Sequence, residues 1–259
     1  MKATTIMLVV SLLCCNGLFA QNERYTTSGS IEFEKSVNTY AILKRMYGDN
    51  MEGFLQQAFD QYKKTQPQFK IFKSTLTFSG DKSLFTPIPG ENSAGSFFTV
   101  PMADQNNIVY TDMETHTTTV EKKVFEQTFL VKDSLKKIKW KITDETREIA
   151  GYSCRRANGL ILDSVYVVAF YTDRITMPGG PESFSGLPGM ILEVALPHEN
   201  VSWRAIKVND AVGVDAGSII QPKKGKPMNS KQLYETLLGV FKNWDNATEL
   251  NLTMKSNLL

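Results

Sequence analysis

Residues 178–194, PGGPESFSGLPGMILEV, constrain the fold of this chain more than any other stretch. They set Gly179, Gly180, Gly186 and Gly189 among Pro178, Pro181 and Pro188, then run into the apolar segment Met190-Ile191-Leu192. Proline fixes φ and has no N–H, whereas glycine reaches positive φ without a Cβ penalty, so their mixture specifies a backbone path. Such a run reads as a rigid joint between two strands. Gly186 and Gly189 should accept no side chain, Pro188 should fix the turn, and Phe184 and Leu187 should be buried. The run holds no nucleophile–base pair, no metal-ligand spacing and no phosphate cradle.

On both sides of this joint the apolar period is two. Ile31 and Phe33 alternate with Ser30, Glu32 and Glu34, the pattern of a half-buried strand. Further strand candidates fall at 69–79, 83–86, 108–112, 117–125, 127–131, 138–143, 152–157, 165–172, 190–195 and 201–207, joined by short polar turns. This grammar implies a mainly β (α+β) fold, a large curved antiparallel sheet or half-barrel with a covering helix and a C-terminal helix. Asn50 is placed to cap the covering helix, whose face would be Met51, Phe54, Leu55, Ala58, Phe59 and Tyr62. Residues 40–47 suit a shorter helix, and 87–106 a mobile loop in which only Phe97, Phe98 and Val100 have reason to bury. The division expected is a signal peptide over 1–20, a β-rich domain over 21–210, a linker over 211–228, a helix over 229–245 capped by Asn229 or Ser230 and reaching Trp244, and a fraying polar tail over 246–259.

Lys2, an apolar run over 6–13 and Ala20 have the anatomy of an export signal, with cleavage after Ala20 leaving Gln21 first; lipidation at a cysteine is the rival reading. No other run approaches the roughly 20 apolar residues of a membrane helix. The mature chain is therefore expected to have no transmembrane segment and to reside in the periplasm or at the outer membrane. The full chain holds 29 Lys+Arg against 27 Asp+Glu, a balance that argues against nucleic acid as partner. Two of the three cysteines lie in the export segment, so Cys154 is left without a partner for an internal disulfide and suits a buried strand position.

No constellation of catalytic residues emerges. His116 and His198 lack a second ligand type at metal-binding spacing. Ser183 and Ser185-Gly186 miss the glycine spacing of a nucleophile elbow, and Asp144, Glu145 and Glu148 read as a solvated turn. The expectation is a non-enzymatic protein without metal or cofactor.

The order Gly186-Leu187-Pro188-Gly189-Met190-Ile191-Leu192-Glu193, preceded by Gly180-Pro181 and Phe184, resembles the signature of the GLPGLI family of exported proteins from Gram-negative bacteria. Ile149-Ala150-Gly151-Tyr152-Ser153-Cys154 and the aromatic strand Val168-Ala169-Phe170-Tyr171-Thr172-Asp173 extend the likeness, which covers residues 138–208. Met190 stands where the family has leucine, and Phe170-Tyr171 where many members carry tryptophan, both apolar replacements. The resemblance implies a structural motif of Gly180, Pro181, Gly186, Leu187, Pro188, Gly189, Gly151, Tyr152 and Cys154, and no catalytic residues. A curved sheet with one apolar face then suggests an envelope protein binding an apolar small molecule or lipid in its concavity. In the alternative, Arg174, Phe184, Leu187 and Met190 on the 174–190 loop dock an outer-membrane or periplasmic protein.

Overall fold

A computed structural model describes residues 25–48, 51–90, 97–103, 107–124, 126–211, 213–241 and 246–258. The export segment and its cleavage point lie outside the described residues, as do Asn50 and Trp244. Among the described residues the chain forms β1 (Ser28–Asn38), α1 (Thr39–Tyr47), α2 (Gly53–Thr65), β2 (Phe69–Ser79), β3 (Lys82–Pro87), β4 (Ile108–Asp112), β5 (Thr117–Val124) and β6 (Gln127–Ser134). It continues through β7 (Lys141–Ile149), β8 (Tyr152–Ile161), β9 (Val165–Thr172), β10 (Met190–Leu196), β11 (Val201–Asn209), β12 (Lys226–Met228), α3 (Ser230–Val240) and α4 (Ala247–Leu258).

The fold is mainly β. All twelve strands join one sheet in the order β12-β6-β5-β4-β3-β2-β1-β11-β10-β9-β8-β7, and β12 alone runs parallel to its neighbour. Two meanders meet at β1. That strand pairs with β2 from Ser28↔Ser79 to Asn38↔Phe69 and, on its other side, with β11 from Ser30↔Asn209 to Val37↔Val201. Its alternation decides which face is inner: Ile31, Phe33, Lys35 and Val37 are all buried. Register carries that face across the sheet, so that Ile31, Leu76, Phe85, Val109, Val120 and Val131 form one buried row.

The sheet curls. Strands lie about 4.8 Å apart, so β8 and β11, three places apart, would sit about 14 Å from each other if flat. Yet the Tyr152 hydroxyl on β8 donates to Asp210 Oδ2 just beyond β11 at 3.1 Å, and Arg147 on β7 meets Glu193 on β10 at 3.0 Å. Irregular registers at Glu32/Phe33, Ile191/Glu193 and Ile142/Thr146 supply the bulges that such bending uses. A two-residue hairpin joins β7 to β8 through Ala150-Gly151, both at positive φ (50° and 84°), as a loop matching strand twist requires.

The 174–189 loop packs on the inner face. Its backbone ties into β10, with Ile191 N–H donating to Gly179 O at 2.8 Å and Met190 N–H to Ile175 O at 3.1 Å. Trp140 Nε1 donates to Ser185 O at 3.0 Å, and the Phe184 ring lies 5.8 Å from that of Trp203. Ile175, Met177, Phe184, Leu187 and Met190 are buried.

Four expectations need correction. Residues 246–259 were expected to fray, but α4 packs with Leu252, Met254, Ser256 and Asn257 buried; half of that buried set is polar, which is why apolar spacing does not reveal it. The 211–228 segment is more than a linker, since β12 extends the sheet through Lys226↔Phe129. Phe54 is 67 % exposed and α2 buries only Phe59 and Tyr62 among its residues, while its N-cap position is Glu52. Asp144, Glu145 and Glu148 lie within strand β7 rather than a turn. By contrast, Asn229 and Gln232 cap α3 reciprocally.

Gly189 is the tightest point of the joint. It sits at φ 138°, and a Cβ there would fall 2.1 Å from Thr172 O. Gly189→Ala should therefore destabilise the chain by about 3 kcal/mol or more, read as a fall in the urea midpoint. A loss below about 1 kcal/mol would mean that β9 and β10 spread at this position without cost.

Candidate functional site

The inner face carries charge where apolar alternation would exclude it. On β5, Thr118, Val120, Lys122 and Val124 share the buried side, and Lys122 is 4 % exposed. Extending the pairing Ile108↔Glu121 by one residue sets Asn107, 3 % exposed, beside Lys122. Lys136, just past β6, brings its ammonium into the same space, and the 174–189 loop delivers Glu182 from the other half of the sheet. Glu182 is buried at φ 50°, a left-handed backbone that a side chain as long as glutamate seldom adopts. Strain of this kind persists where surrounding structure enforces it, and it collects at functional positions.

These groups line a cavity of about 50 Å³. That is room for a few water molecules, so a sugar ring would lie at its mouth rather than within it. Asn107 Nδ2 donates to Glu182 Oε2 at 3.1 Å. Because a carboxylate oxygen only accepts, this contact fixes the amide's orientation, and Asn107 Oδ1 is left buried without a hydrogen-bond partner among the described residues. The two ammonium groups reach the end of α4: Lys122 Nζ donates to Asn257 O at 2.8 Å, and Lys136 Nζ to Leu258 O at 2.8 Å.

Burial pushes the Lys122 ammonium down to about 7, with repulsion from Lys136 and Lys35 adding to it and Glu182 opposing. Burial likewise lowers Lys136 to about 8 against the attraction of Glu182 and Asp133. Lys35 lies 5.1 Å from the centre of the Trp203 ring. Asp133 has a structural duty: burial works to raise its pKa, but hydrogen bonds from Ser230 and Ser134 outweigh that and hold it below the usual carboxylate range. It anchors the start of α3 by accepting from the Ser230 N–H at 3.0 Å. Glu182 is thus the acid available for other work.

The residues singled out from the sequence do not assemble here. Arg174 is half-buried, 5.8 Å from the Tyr25 ring centre and 4.0 Å from Asp173. Phe184, Leu187 and Met190 are core side chains, buried rather than presented at the surface. Gly180, Pro181, Gly186, Pro188 and Gly189 shape the joint, and Gly151 and Tyr152 belong to the β7–β8 hairpin and its Asp210 contact. Cys154 is fully buried, and burial pushes its thiol up to about 12, so it is no nucleophile. Among the described residues, no three His, Cys, Asp or Glu side chains gather as metal ligands. The residues that do converge were not proposed from the sequence. The signal available was an ionisable residue on the buried parity of a strand, Lys122 after Thr118 and Val120 and Lys35 after Ile31 and Phe33.

Residues 88–230 match the family described as N-glycanase peptide, N-terminal domain. The match spans more than half of the chain, which belongs to this family. Two solved structures of PNGF-II share its fold. The P21 crystal form aligns with a TM-score of 0.50 at 15 % identity over 81 % of this chain, and the C2 form with 0.51 at 14 % over 80 %. The chain spans about a third of the length of those structures, 33 % and 32 %. No curated protein matches it. The expectation of a non-enzymatic protein is overturned by this family membership, which ties the chain to an N-glycanase lineage. The four residues that line the cavity, Asn107, Lys122, Lys136 and Glu182, come from four separate segments and form no local motif, so the sequence does not single them out.

Lys122→Met should be more stable than the wild-type protein at pH 7, by about 1–4 kcal/mol, because an apolar side chain of similar length removes the cost of burying the ammonium. The advantage should shrink with pH. Lys122 titrates near 7 in the folded chain and near 10.5 unfolded, so between these values the unfolded chain binds more protons and wild-type stability rises. Between pH 7 and 9 the gap between the two proteins should narrow by about 2 kcal/mol in urea titrations. A gap independent of pH would show that Lys122 stays charged in the fold.

Proposed function

We propose that the chain acts in the hydrolysis of N-linked glycans, with the Asn107–Lys122–Lys136–Glu182 pocket as its site and Glu182 as the acid–base carboxylate. One observation carries this reading: the segment shared with the N-glycanase family, 88–230, contributes all four of these residues. Hydrolysis at a glycosidic or glycosylamine linkage requires a carboxylate positioned to move a proton and groups that steady developing charge. Glu182 supplies the first, and Lys122 and Lys136 supply the second. The Gly186–Glu193 motif that resembles the GLPGLI signature lies within the same matched segment and builds the joint that holds Glu182. Export through residues 1–20 belongs to this proposal, since secreted and surface glycoproteins are met outside the cytoplasm.

Two other readings have less support. An apolar or lipid ligand would find the concavity filled by the 174–189 loop and a cavity edged by lysines. Docking through the loop would need Phe184, Leu187 and Met190 at the surface, and they are buried. The deciding measurement is release of glycan from a denatured N-glycoprotein, followed by mass spectrometry. Wild-type chain should release glycan, and Glu182→Gln should slow release by about 10²–10⁴-fold with its Tm retained. Absence of release by the wild-type protein, or full activity in the glutamine variant, would overturn the assignment.

A further inference from the structure

Part of the chain's own backbone covers the proposed site. Asn257 and Leu258, at the end of α4, line the same cavity as Lys122, Lys136 and Glu182. Their carbonyls accept from Lys122 Nζ and Lys136 Nζ at 2.8 Å each. Carbonyls in the last turn of a helix have no intrahelical donor and carry the negative end of the helix dipole, so an ammonium group suits them well. These are the two ammonium groups assigned to steady developing charge on the glycan. While α4 is docked it engages them and holds a sugar ring at the mouth of the cavity.

The helix is anchored unevenly along its length. Its start is capped by Asn246, whose Oδ1 accepts from the Thr248 and Glu249 N–H groups at 3.1 Å each and whose Nδ2 donates to the Met46 carbonyl of α1 at 3.1 Å. Leu252 and Met254 bury its middle. Its last turn is wound against competition, because Ser256 Oγ and Asn257 Nδ2 both donate at 2.8 Å to the Thr253 carbonyl, the acceptor the helix provides for the Asn257 N–H. Side chains that compete for backbone carbonyls in this way weaken a helix, and the weakened turn opens at the lowest cost. Lys255 forms a catch between anchor and pocket, bonding the buried Glu199 at 2.8 Å. Glu199 also holds Arg45 of α1 at 3.0 Å, so its carboxylate keeps a partner when the catch opens.

We infer that the last turn of α4, residues 255–258, is an autoinhibitory strap: it rests on Lys122 and Lys136 in the docked state and lifts, with α4 still anchored at Asn246 and Leu252, when a glycan enters beside Glu182. The inference rests on the glycan reading of this same site. Lifting breaks two charge-assisted hydrogen bonds, and oxygens of the entering glycan replace both acceptors. A glycan that binds the open state better than the docked one therefore shifts the strap without a separate trigger.

The test compares the full chain with Lys255→Met, which removes the catch and leaves the proposed site intact, and with Ser256→Ala, which removes one competitor for the Thr253 carbonyl and keeps every tether. Three readouts are taken: amide exchange along α4, acetylation of Lys122 by an N-hydroxysuccinimide ester mapped against the exposed Lys137, and glycan release. Lys255→Met should speed exchange at 255–258 about tenfold with 250–252 unchanged, and raise both Lys122 acetylation and glycan release severalfold. Ser256→Ala should move all three the other way. Faster exchange at 255–258 with unchanged Lys122 acetylation would overturn the strap. Glu182-dependent glycan release that neither variant alters would overturn it too, and would leave the hydrolytic function standing. Lys122 acetylation that follows the strap, with no glycan release from any of the three chains, would keep the strap as a cover of the pocket and remove the N-glycan reaction.

Discussion

Everything in this molecule hangs on β1, because it is the one strand hydrogen-bonded along its length to partners from both ends of the chain. On one side lies β2, reached through α1 and α2, and on the other β11, which follows it by more than 160 residues. With β1 in place the two meanders become a single sheet with one continuous inner face. Without it neither half could bury that face, since each would present the edge and the apolar row that β1 now covers. A bulge on β11, where Ile206 is the extra residue opposite Glu32 and Phe33, lets β1 keep both registers while the sheet curls around the 174–189 loop.

The curl leaves an interior with two chemistries. Over β8 to β11 it is filled by Phe184, Leu187, Met190 and Trp203, an ordinary close-packed core. Over β4 to β6 it is polar, and there the chain tolerates an ammonium that burial has pushed down to about 7, a glutamate in a left-handed conformation and an amide oxygen without a donor among the described residues. Each of these costs stability, and an apolar core of the same shape would avoid them. Groups kept at such a cost in one place are what the proposed function draws on. The two halves communicate through the loop, which leaves the aromatic core at Phe184 and reaches Asn107 with Glu182 two residues away.

Much of the fold was legible in the sequence because it depends on local rules. Period-two alternation located most of the strands, missing β12 and the second half of β7, the cap of α3 was narrowed to Asn229 or Ser230, and the proline–glycine run located the joint between β9 and β10. The pairing of β1 with β11 was not legible, since nothing in either strand names a partner so distant. The site escaped for a related reason. Asn107, Lys122, Lys136 and Glu182 each look unremarkable beside their neighbours and acquire meaning only when the sheet brings β4, β5 and the loop together. The burial of α4 escaped because its inward surface includes Ser256 and Asn257, polar residues that suit a polar pocket and defeat a search for apolar spacing.

The two outer strands have a consequence for how the protein behaves in a crowd. Among the described residues the sheet has two outer borders, each with backbone groups able to recruit a strand from another molecule. One border is β12, only three residues long and bearing Pro227, which has no N–H to offer. The other is β7, whose exposed residues include Lys141, Asp144, Glu145, Arg147 and Glu148 in mixed sign. An incoming strand would have to match that charge sequence or bury it. The sheet thus ends in one border too short to template growth and another too charged to accept it, and the molecule can be wide without becoming adhesive.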